Sequence, residues 1–372
     1  MNWIEKALIH PHHNTDRLLD FGAFKKLNDA ISADSPTVII GPNDNDDAGV
    51  GLLPGTKTMI VLKTETHNTP SAVTPYDSAA TCASGTFRDI IAMGARPIFA
   101  LDLIGGPPPD ALVLVGPCAL KGDGKQCECG KCIEMKNYER NNLMVQGLCA
   151  TCLALGVPIL GGGITTSIQG PIPLIAVVGL GALVTDEPLT KPAKDIGDCI
   201  ILVGETGNDG NDTVFRAGYA NEMSPAIALF KEERTTMDAM LAIFATGKAK
   251  ACSDLGAAGI GAAVCESARQ GNRGAQVELK RVPLKAASED ISPEGLILNE
   301  TQARFIVQVD PKDVDAVLDA ACRAGGTANM IGRITDRDVT EFRYDNVPVA
   351  TIPNHPSEKC LKMLRGTEQR TN

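Results

Sequence analysis

The chain has 372 residues, 44% of them hydrophobic and 22% charged, and carries a formal net charge of −10. A chain of this length can bury a sizeable core, and we expect it to form two domains. The negative charge argues against a nucleic-acid-binding protein, because contact with a phosphate backbone requires a basic face. No apolar run of membrane-spanning length is free of Gly, Pro and charge, so we expect no membrane partner.

The chemical state of the 12 cysteines depends on the cellular compartment of the protein. The first residues, Met1 to Lys6, lack the apolar core of a signal peptide, which favours a cytoplasmic protein. In that compartment cysteines are reduced thiols or metal ligands more often than they are disulfides.

The first half of the chain shows short apolar runs separated by polar turns, together with two helical patterns. Strands are predicted at 37–41, 59–63, 97–104, 157–160 and 172–184, and helices at 78–94 and 141–156. An irregular insert of about 105–140 interrupts this order, and a Gly triplet, Gly161 to Gly163, follows the fourth of these strands.

A polar stretch with two prolines, Thr185 to Asp198, predicts the domain boundary. The second half then contains predicted strands at 199–204, 275–280, 304–309, 327–334 and 338–344, and predicted helices at 224–246 and 312–324. We therefore expect an N-terminal domain of residues 1–187 that includes the insert, a C-terminal domain of residues 188–345 and a tail of residues 346–372.

Polar side chains cluster around one connection between a strand and a helix. The apolar run at Met59 to Leu62 leads into Lys63, Glu65, His67 and Asn68, and Arg88 and Asp89 follow on the next predicted helix. A histidine that can act as a base thus accompanies two carboxylates and two cations. Connections of this kind often carry the sites of folds that combine helices and strands.

These residues form part of an ordered set of motifs that resembles a known family, the synthetase subunit of formylglycinamide ribonucleotide amidotransferase, also called FGAM synthase or PurL. The matching segments are Lys63 to Pro70, Pro75-Tyr76, Ala79 to Gly85, Arg88-Asp89, Met93 to Pro97, Gly204 to Gly210, Asp254 to Gly259, Pro283 to Lys285 and Glu300 to Gln302. With the turn that begins at Pro42, they run through most of the chain.

The resemblance implies an α+β, PurM-like fold. It comprises an N-terminal α/β domain whose strands form a sheet or barrel shared across a homodimer, and a C-terminal α+β domain. It also implies an ATP- and Mg²⁺-dependent ligase that makes an amidine from an amide of a phosphorylated, ribonucleotide-like substrate. ATP phosphorylates the amide oxygen, and ammonia then displaces phosphate from the iminophosphate.

The same resemblance implies roles for individual residues. His67 would be the general base; Thr66, Asn68, Arg88, Glu300, Thr301 and Gln302 would bind the substrate; Lys63 would contact the nucleotide phosphates; and Glu65, Asp89 and Asp254 would bind Mg²⁺. Asp254 precedes Leu-Gly-Ala-Ala and could instead cap a helix, and the two roles are compatible.

Two further sets of residues could contact the nucleotide. Asp46 and Asp47 lie in an Asp-rich turn and could assist a second metal–triphosphate contact, or the turn could be an exposed Asx turn. Gly162 and Gly163 could cradle phosphate with backbone N–H groups, or they could allow close packing at the end of a strand. Both interpretations remain open in each case.

The insert contains four cysteines, Cys118, Cys127, Cys129 and Cys132, among glycines and lysines. Four thiolates in a short polar loop fit a tetrahedral Zn²⁺ site or, less often, an iron–sulfur cluster. Such a loop cannot become ordered by burying apolar surface, and we expect a structural zinc. Reduced surface cysteines without metal are the alternative.

The chain departs from the family pattern in three respects. It contains the insert, it carries the first-half pattern once where synthetase subunits have two homologous halves, and it shows no glutaminase domain. A homodimer and a separate source of ammonia, such as a glutaminase subunit, are therefore expected. The alternatives are another ATP enzyme of the superfamily, such as aminoimidazole ribonucleotide synthase or a small-molecule kinase, and a non-catalytic, metal-stabilised binding subunit.

Overall fold

The computed structural model describes residues 3–8, 35–42, 44–121, 127, 129–166, 172–286, 288 and 290–355. The first half contains, in chain order, α1 (Trp3–Leu8), β1 (Val38–Ile40), β2 (Gly49–Leu52), β3 (Met59–His67), α2 (Thr69–Val73), α3 (Pro75–Ala92), β4 (Ala95–Gly105), β5 (Leu112–Val115), β6 (Ile133–Lys136), α4 (Asn137–Leu155), β7 (Ile159–Thr165) and β8 (Leu174–Leu183).

The second half contains β9 (Cys199–Val203), α5 (Asp212–Arg216), α6 (Phe230–Ala245), β10 (Ala251–Asp254), α7 (Gly259–Gln270), β11 (Gly274–Glu278), α8 (Pro293–Leu298), β12 (Phe305–Val309), α9 (Val314–Arg323), β13 (Ala328–Thr335), β14 (Val339–Tyr344) and β15 (Val347–Pro353). No helix in the described part of the chain combines the length and the apolar character needed to cross a bilayer.

Six strands of the first half form one sheet in the order β1-β2-β3-β8-β4-β7. All its neighbours are antiparallel except β4 and β7, which run parallel. Helices α3 and α4 pack together on one face of this sheet. Helix α3 begins at Pro75, which supplies the fixed φ suited to a first turn, and is followed by Gly94 at a φ of 78°.

The other face of this sheet carries exposed apolar side chains. Leu62, Phe99, Leu101 and Leu103 are each between 38% and 46% exposed. The strand register puts them in neighbouring rows, because Leu62 and Phe99 both pair with Leu180, while Leu101 pairs with Val178. An apolar sheet face of this kind is typical of an interaction surface.

The second sheet has seven strands in the order β10-β12-β9-β13-β11-β14-β15. Its central strands β9 and β12 are buried along their whole length, since helices cover both faces. Buried residues of α6 and α9 belong to the same core cluster as buried residues of α3 and α4, whereas α7 and α8 contribute to a separate cluster. Helix α3 therefore lies where the cores of the two halves meet.

Several predicted boundaries differ from the observed ones. Strand β3 extends to His67, and the Gly triplet lies inside β7. The insert is not wholly irregular, because β5 and β6 form an antiparallel pair. The tail prediction is wrong for Val347–Pro353, which pairs with β14, and residues 356–372 lie outside the described part.

The first residues also differ from the expected domain assignment. Helix α1 contacts β15, and Ile4 is buried in the core cluster that contains α7 and α8. Apolar side chains thus hold Trp3–Leu8 against the second sheet, whereas the sequence predicts that these residues belong to the N-terminal domain of residues 1–187. The boundary near residue 187 remains a prediction.

Candidate active site

The end of β3 positions three polar side chains against helix α3. Side chains alternate along a strand, so Lys63, Glu65 and His67 share the face on which Val61 is buried. His67 Nε2 lies 3.3 Å from Glu65 Oε1, and His67 Nδ1 lies 2.9 Å from the carbonyl oxygen of Ser78 at the start of the helix. That carbonyl can only accept, so Nδ1 carries a proton and Nε2 is the nitrogen that faces Glu65.

The same alternation separates Thr66 from this site. Thr66 pairs with Ala176, which in turn pairs with Leu103, so its side chain belongs to the exposed apolar face. The expected contact between the Thr66 side chain and substrate beside His67 therefore does not fit this geometry. Asn68 caps α2, because its Oδ1 accepts the backbone N–H of Thr69 at 2.6 Å.

Three carboxylates from distant parts of the chain converge beside Lys63. Asp47, Asp89 and Asp254 each offer an oxygen, and these oxygens all lie within 4.8 Å of one another. Lys63 Nζ lies 2.7 Å from Asp89 and donates to the backbone carbonyl of Asp47 at 2.8 Å. Lys191 Nζ lies 3.3 Å from Asp47 on the other side. We call Asp47, Asp89 and Asp254 the carboxylate trio.

The trio differs from the predicted metal set by one residue. Asp89 and Asp254 are brought together as expected, but their third neighbour is Asp47, and Glu65 lies outside the trio. Glu65 instead faces His67, and its Oε2 is buried without a hydrogen-bond partner among the described residues. Asp46 accepts the backbone N–H of Lys191 at 3.2 Å.

Arg88 connects the trio to the second half of the chain. Its guanidinium is 3% exposed, lies 3.4 Å from Asp254, and also contacts Glu233. A third contact runs from Arg88 Nη2 to Gln302 Oε1 at 2.7 Å. A fully engaged guanidinium of this kind holds the two halves in register, so Arg88 supports the site even before any substrate binds.

The Glu300-Thr301-Gln302 segment organises loops around the site. Glu300 accepts backbone N–H groups from Asp212, Thr213 and Ala258 at 2.9–3.0 Å, which occupies both carboxylate oxygens. Thr301 contacts Asp209 at 2.8 Å. Both side-chain oxygens of Glu300 are therefore already engaged by the backbone, which does not fit its predicted role in binding substrate.

The pKa values of the acidic groups shift in opposite directions, although burial raises each of them. Burial raises the pKa of Asp254 to about 6 and the pKa of Asp46 to about 6, and it raises the pKa of Asp89 well above its usual range. Burial also acts on Glu65, but the hydrogen bond and charge of His67, with Lys63 and Arg88, outweigh it and lower the pKa of Glu65. The pKa of a carboxyl group is raised first by burial and further by neighbouring negative charges, as at Asp46, Asp89 and Asp254.

This crowding suits a divalent cation. Asp46, Glu65, Glu233 and Glu266 accompany the trio, and the cations in contact with them are Lys63, Lys191 and Arg88. Lys194 near Asp46 and Arg269 near Glu266 add positive charge, and among these described residues the seven carboxylates still outnumber the five Lys and Arg side chains. Hard Mg²⁺ prefers such oxygen ligands, so the trio, with its mutual distances under 4.8 Å, fits the expected metal.

Two neighbours of the trio were not predicted from the sequence. Lys191 is 6% exposed and lies in the proline-containing stretch between the two sheets, while Glu233 is 4% exposed in the first turn of α6. The sequence gives little indication that Glu233 is buried at the site, because an acidic residue in the first turn of a helix is usually exposed to solvent. Nothing in the local sequence around Lys191 indicates its contact with Asp47.

The predicted phosphate cradle at the Gly triplet does not form a loop. Gly162 and Gly163 lie within β7 and pair with Asp102 and Leu103 of β4. A Cβ on Gly162 would overlap the carboxylate of Asp102, so close packing inside the sheet accounts for a glycine there.

The four cysteines of the insert form a second cluster away from the trio. The Sγ atoms of Cys118, Cys127, Cys129 and Cys132 all lie within 4.8 Å of one another. All four are free thiols. The structure thus brings together the complete set of predicted zinc ligands, which we call the cysteine cluster.

Comparison with known proteins identifies the family. The models of the AIR synthase related protein N-terminal and C-terminal domains match residues 45–183 and 195–345. The chain belongs to the AIR synthase related protein family. The α+β, PurM-like fold predicted from the sequence is confirmed by these two matches and by the structural neighbours.

Within this family, curated relatives include subunit PurL of phosphoribosylformylglycinamidine synthase. The PurL of Prochlorococcus marinus is 31% identical over 85% of this chain and 38% of its own length. The PurL of Saccharolobus solfataricus is 30% identical over 88% of this chain and 43% of its own length. The chain therefore spans less than half the length of these curated relatives.

Solved structures of the family show the same relationship. Thermotoga maritima PurL complexed with ADP matches with a TM-score of 0.65 and 26% identity, over 83% of this chain and 45% of that one. The PurLQS structure from the same organism matches with a TM-score of 0.65 and 27% identity, over 82% and 46%. A chain of a HypE–HypF complex shares the fold, with a TM-score of 0.60 and 16% identity over 89% and 99%.

Proposed function

We propose that this chain is an ATP- and Mg²⁺-dependent carbon–nitrogen ligase of the FGAM synthase type. The observation that carries the proposal is the carboxylate trio, whose oxygens lie within 4.8 Å of one another beside the His67–Glu65 pair. A relative that is 31% identical to this chain is subunit PurL of phosphoribosylformylglycinamidine synthase, and the structure of Thermotoga maritima PurL contains ADP. The substrate would be a phosphorylated ribonucleotide that carries an amide.

The reaction assigns different tasks to the two sides of the site. Phosphoryl transfer from ATP to the amide oxygen releases ADP. Ammonia then attacks the amide carbon that bears this oxygen, which expels phosphate and leaves the amidine. Mg²⁺ bound by Asp47, Asp89 and Asp254 would neutralise charge on the triphosphate. Lys63 contacts Asp89 and can direct its ammonium toward the same phosphates.

His67 and Glu65 would move the proton that ammonia must lose. Because Nδ1 of His67 donates to the Ser78 carbonyl at 2.9 Å, proton exchange falls to Nε2, which faces Glu65 at 3.3 Å. A proton shared between these two atoms can be taken up or released without burying a new net charge. This supports a paired acid–base role for Glu65 in place of its predicted role as a Mg²⁺ ligand.

We further propose that the chain acts as a homodimer through the exposed apolar face of the first sheet. Leu62, Phe99, Leu101 and Leu103 would be covered by the same face of a second copy, since exposed apolar sheet faces promote association. Sedimentation should show a dimer. Leu101→Glu should give monomers, while Leu153→Glu, at an 83% exposed site on α4, should leave the dimer intact.

Ammonia would come from solution or from a separate glutaminase subunit. The PurLQS structure of Thermotoga maritima is an assembly of that relative with other subunits, which makes a partner reasonable for this chain. The cytoplasm remains the proposed compartment, on the basis of the proposed enzyme class. A structural metal in the cysteine cluster would be a second cofactor beside Mg²⁺.

The test is phosphate release from ATP in the presence of formylglycinamide ribonucleotide, ammonia and Mg²⁺. Turnover that requires the ribonucleotide supports the ligase, with the amidine identified by mass spectrometry. ATP turnover with another acceptor would indicate a different superfamily enzyme, such as aminoimidazole ribonucleotide synthase or a kinase. Ribonucleotide binding without any ATP turnover would support a binding subunit.

A further inference from the structure

The insert forms a compact unit around the cysteine cluster. Strands β5 and β6 pair from Leu112–Lys136 to Val115–Ile133, and a 3₁₀ turn at Pro117–Lys121 follows β5. The cluster lies at the loop end of this hairpin, since Cys118 follows β5 and Cys132 precedes β6 in the segment that connects the two strands. Two short strands alone are marginally stable in water, so a cross-link at their ends would have a large effect on their order.

Backbone groups around the cluster are oriented toward its sulfurs. The N–H of Cys118 donates to Cys132 Sγ at 3.4 Å, and the N–H of Lys131 donates to Cys129 Sγ at 3.3 Å. Gly116 has a φ of 132°, and a Cβ there would lie 2.8 Å from Cys132 Sγ. The turn therefore brings backbone donors and sulfur atoms into close contact, as in the surroundings of metal-bound thiolates.

The spacing of the sulfurs selects the kind of metal. A tetrahedral site with Zn–S bonds of about 2.3 Å holds its sulfurs about 3.8 Å apart. The four Sγ atoms lie within 4.8 Å of one another, with Cys127 and Cys129 3.0 Å apart and Cys129 and Cys132 3.6 Å apart. A four-iron cluster distributes its cysteines over separate irons, so their sulfurs lie farther apart. The geometry fits a single ion better than a cluster.

The unit contacts the candidate active site on one side and the second half of the chain on the other. The N–H of Gly116 donates to the carbonyl of Ala72 at 3.0 Å, in the short helix that follows His67. Lys131, between two of the cysteines, pairs with both carboxylate oxygens of Glu222 at 2.7 and 2.9 Å. Asn211 donates to the carbonyl of Glu222 at 3.2 Å, beside the loop that Glu300 organises.

We propose that Cys118, Cys127, Cys129 and Cys132 bind one structural Zn²⁺, and that this ion orders the insert as a bridge between α2 and the segment 211–224, which contains α5. The family matches, the relatives and the proposed ligase reaction do not require this site. The zinc holds Gly116 against Ala72 and Lys131 against Glu222. Its removal should loosen both attachments while leaving the second sheet unchanged.

Metal content tests the site directly and does not depend on catalysis. Protein purified without chelator should contain about one zinc per chain, and its Co²⁺-substituted form should show the absorption of tetrahedral thiolate cobalt. Cys129→Ser should lose the metal. Cys322→Ser, at an exposed cysteine on α9, should retain it. A metal-free wild type, or iron in place of zinc, would overturn the proposal.

Hydrogen exchange tests the bridge. Chelation of the wild type should accelerate exchange at residues 69–73 and 112–116, with β14 and β15 as internal controls, so the result does not require a folded cysteine variant. Glu222→Gln should retain zinc but accelerate exchange at 211–224 by about two- to fivefold, the range expected for one exposed ion pair. Asp345→Asn breaks a similarly exposed pair with Lys280 and should not affect 211–224. Unchanged exchange after zinc removal would refute the bridge.

Discussion

Gly85 on helix α3 faces the carboxylate of Glu65 on strand β3 so closely that any Cβ at residue 85 would overlap Glu65 Oε2. The same carboxylate lies 3.3 Å from His67 through its other oxygen. The absence of a side chain at residue 85 therefore sets the position of the His67–Glu65 pair. This relationship gives a way to displace Glu65 without changing its chemistry.

Gly85→Ala should lower substrate-dependent phosphate release by about 10- to 100-fold, since displacement by about 1 Å can have such an effect. Stability should not fall because of the helix itself, as alanine is favoured over glycine by about 1 kcal/mol in a helix interior. Gly51→Ala is the control, because its Cβ would meet its nearest neighbour at an ordinary 3.7 Å. Equal turnover in both variants would show that the position of Glu65 does not matter.

His67→Ala should reduce turnover by on the order of 10²–10⁴, the usual contribution of a general base. ATP binding, measured by calorimetry with Mg²⁺, should remain because Lys63 and the carboxylate trio are unchanged. Thr66→Ala is the comparison, since its side chain lies on the opposite face of the sheet and its loss should leave turnover close to that of the wild type. A large loss in Thr66→Ala would restore the substrate role first assigned to that residue.

Arg88→Ala should destabilise the fold by about 3–5 kcal/mol, because it leaves buried carboxylates without their partner. Glu233 and Asp254 lose this contact together, and both are at most 15% exposed. Urea unfolding measures the effect. Arg337→Ala removes a 62% exposed arginine from its pair with Glu341 and should change stability by less than about 1 kcal/mol. Similar values for both variants would mean that burial does not matter at Arg88.

The pH dependence of stability should identify Asp46 as a strained carboxylate. Burial raises its pKa from 3.8 to about 6, so the folded protein binds a proton there that the unfolded chain releases. This contribution is complete below pH 3.8 and is lost as pH rises to about 6, after which it levels off. Asn does not titrate, so Asp46→Asn does not lose this contribution as pH rises. The variant should therefore gain stability relative to the wild type across that interval.

Thermal unfolding in EDTA between pH 4 and 7 measures this difference. Mg²⁺ should reduce it, because a cation bound nearby favours the charged form of the carboxylate. A difference between the two proteins that does not vary with pH would show that Asp46 titrates normally.

The sequence motifs predicted most of the site because Lys63, His67, Arg88 and Asp89 are close in sequence and share one strand–helix connection. The predicted strand ended at residue 63, so the alternation of side chains between the two faces of the sheet was not expected for residues 64–67. The observed strand continues to His67, and this continuation separates Thr66 from Glu65 and His67. One boundary error thus changed which side chains could share a site.

Contacts between distant segments could not be predicted in the same way. Lys191 meets Asp47 across 144 residues, and Glu233 meets Arg88 across 145, with no local periodicity that reports either contact. The replacement of Glu65 by Asp47 in the trio has the same origin, because the Asp-rich turn reaches Asp254 only after the two sheets pack. The cysteine cluster was predictable because its four ligands lie within one short insert.

Two neighbouring glycines distinguish packing in the sheet from phosphate binding. Gly162 faces the carboxylate of Asp102, where a Cβ would overlap Oδ1, while a Cβ on Gly163 would meet Leu103 at 3.9 Å. Gly162→Ala should therefore lower the unfolding temperature and Gly163→Ala should not, as only the first substitution forces a neighbour to move. Asp102→Ala should relieve part of the cost of Gly162→Ala, since it removes the overlapping carboxylate, while the backbone carbonyl oxygen of Asp102 still lies 2.7 Å from the added Cβ. If the triplet cradled phosphate, both alanine variants would instead weaken ATP binding at unchanged stability, and calorimetry would reveal it.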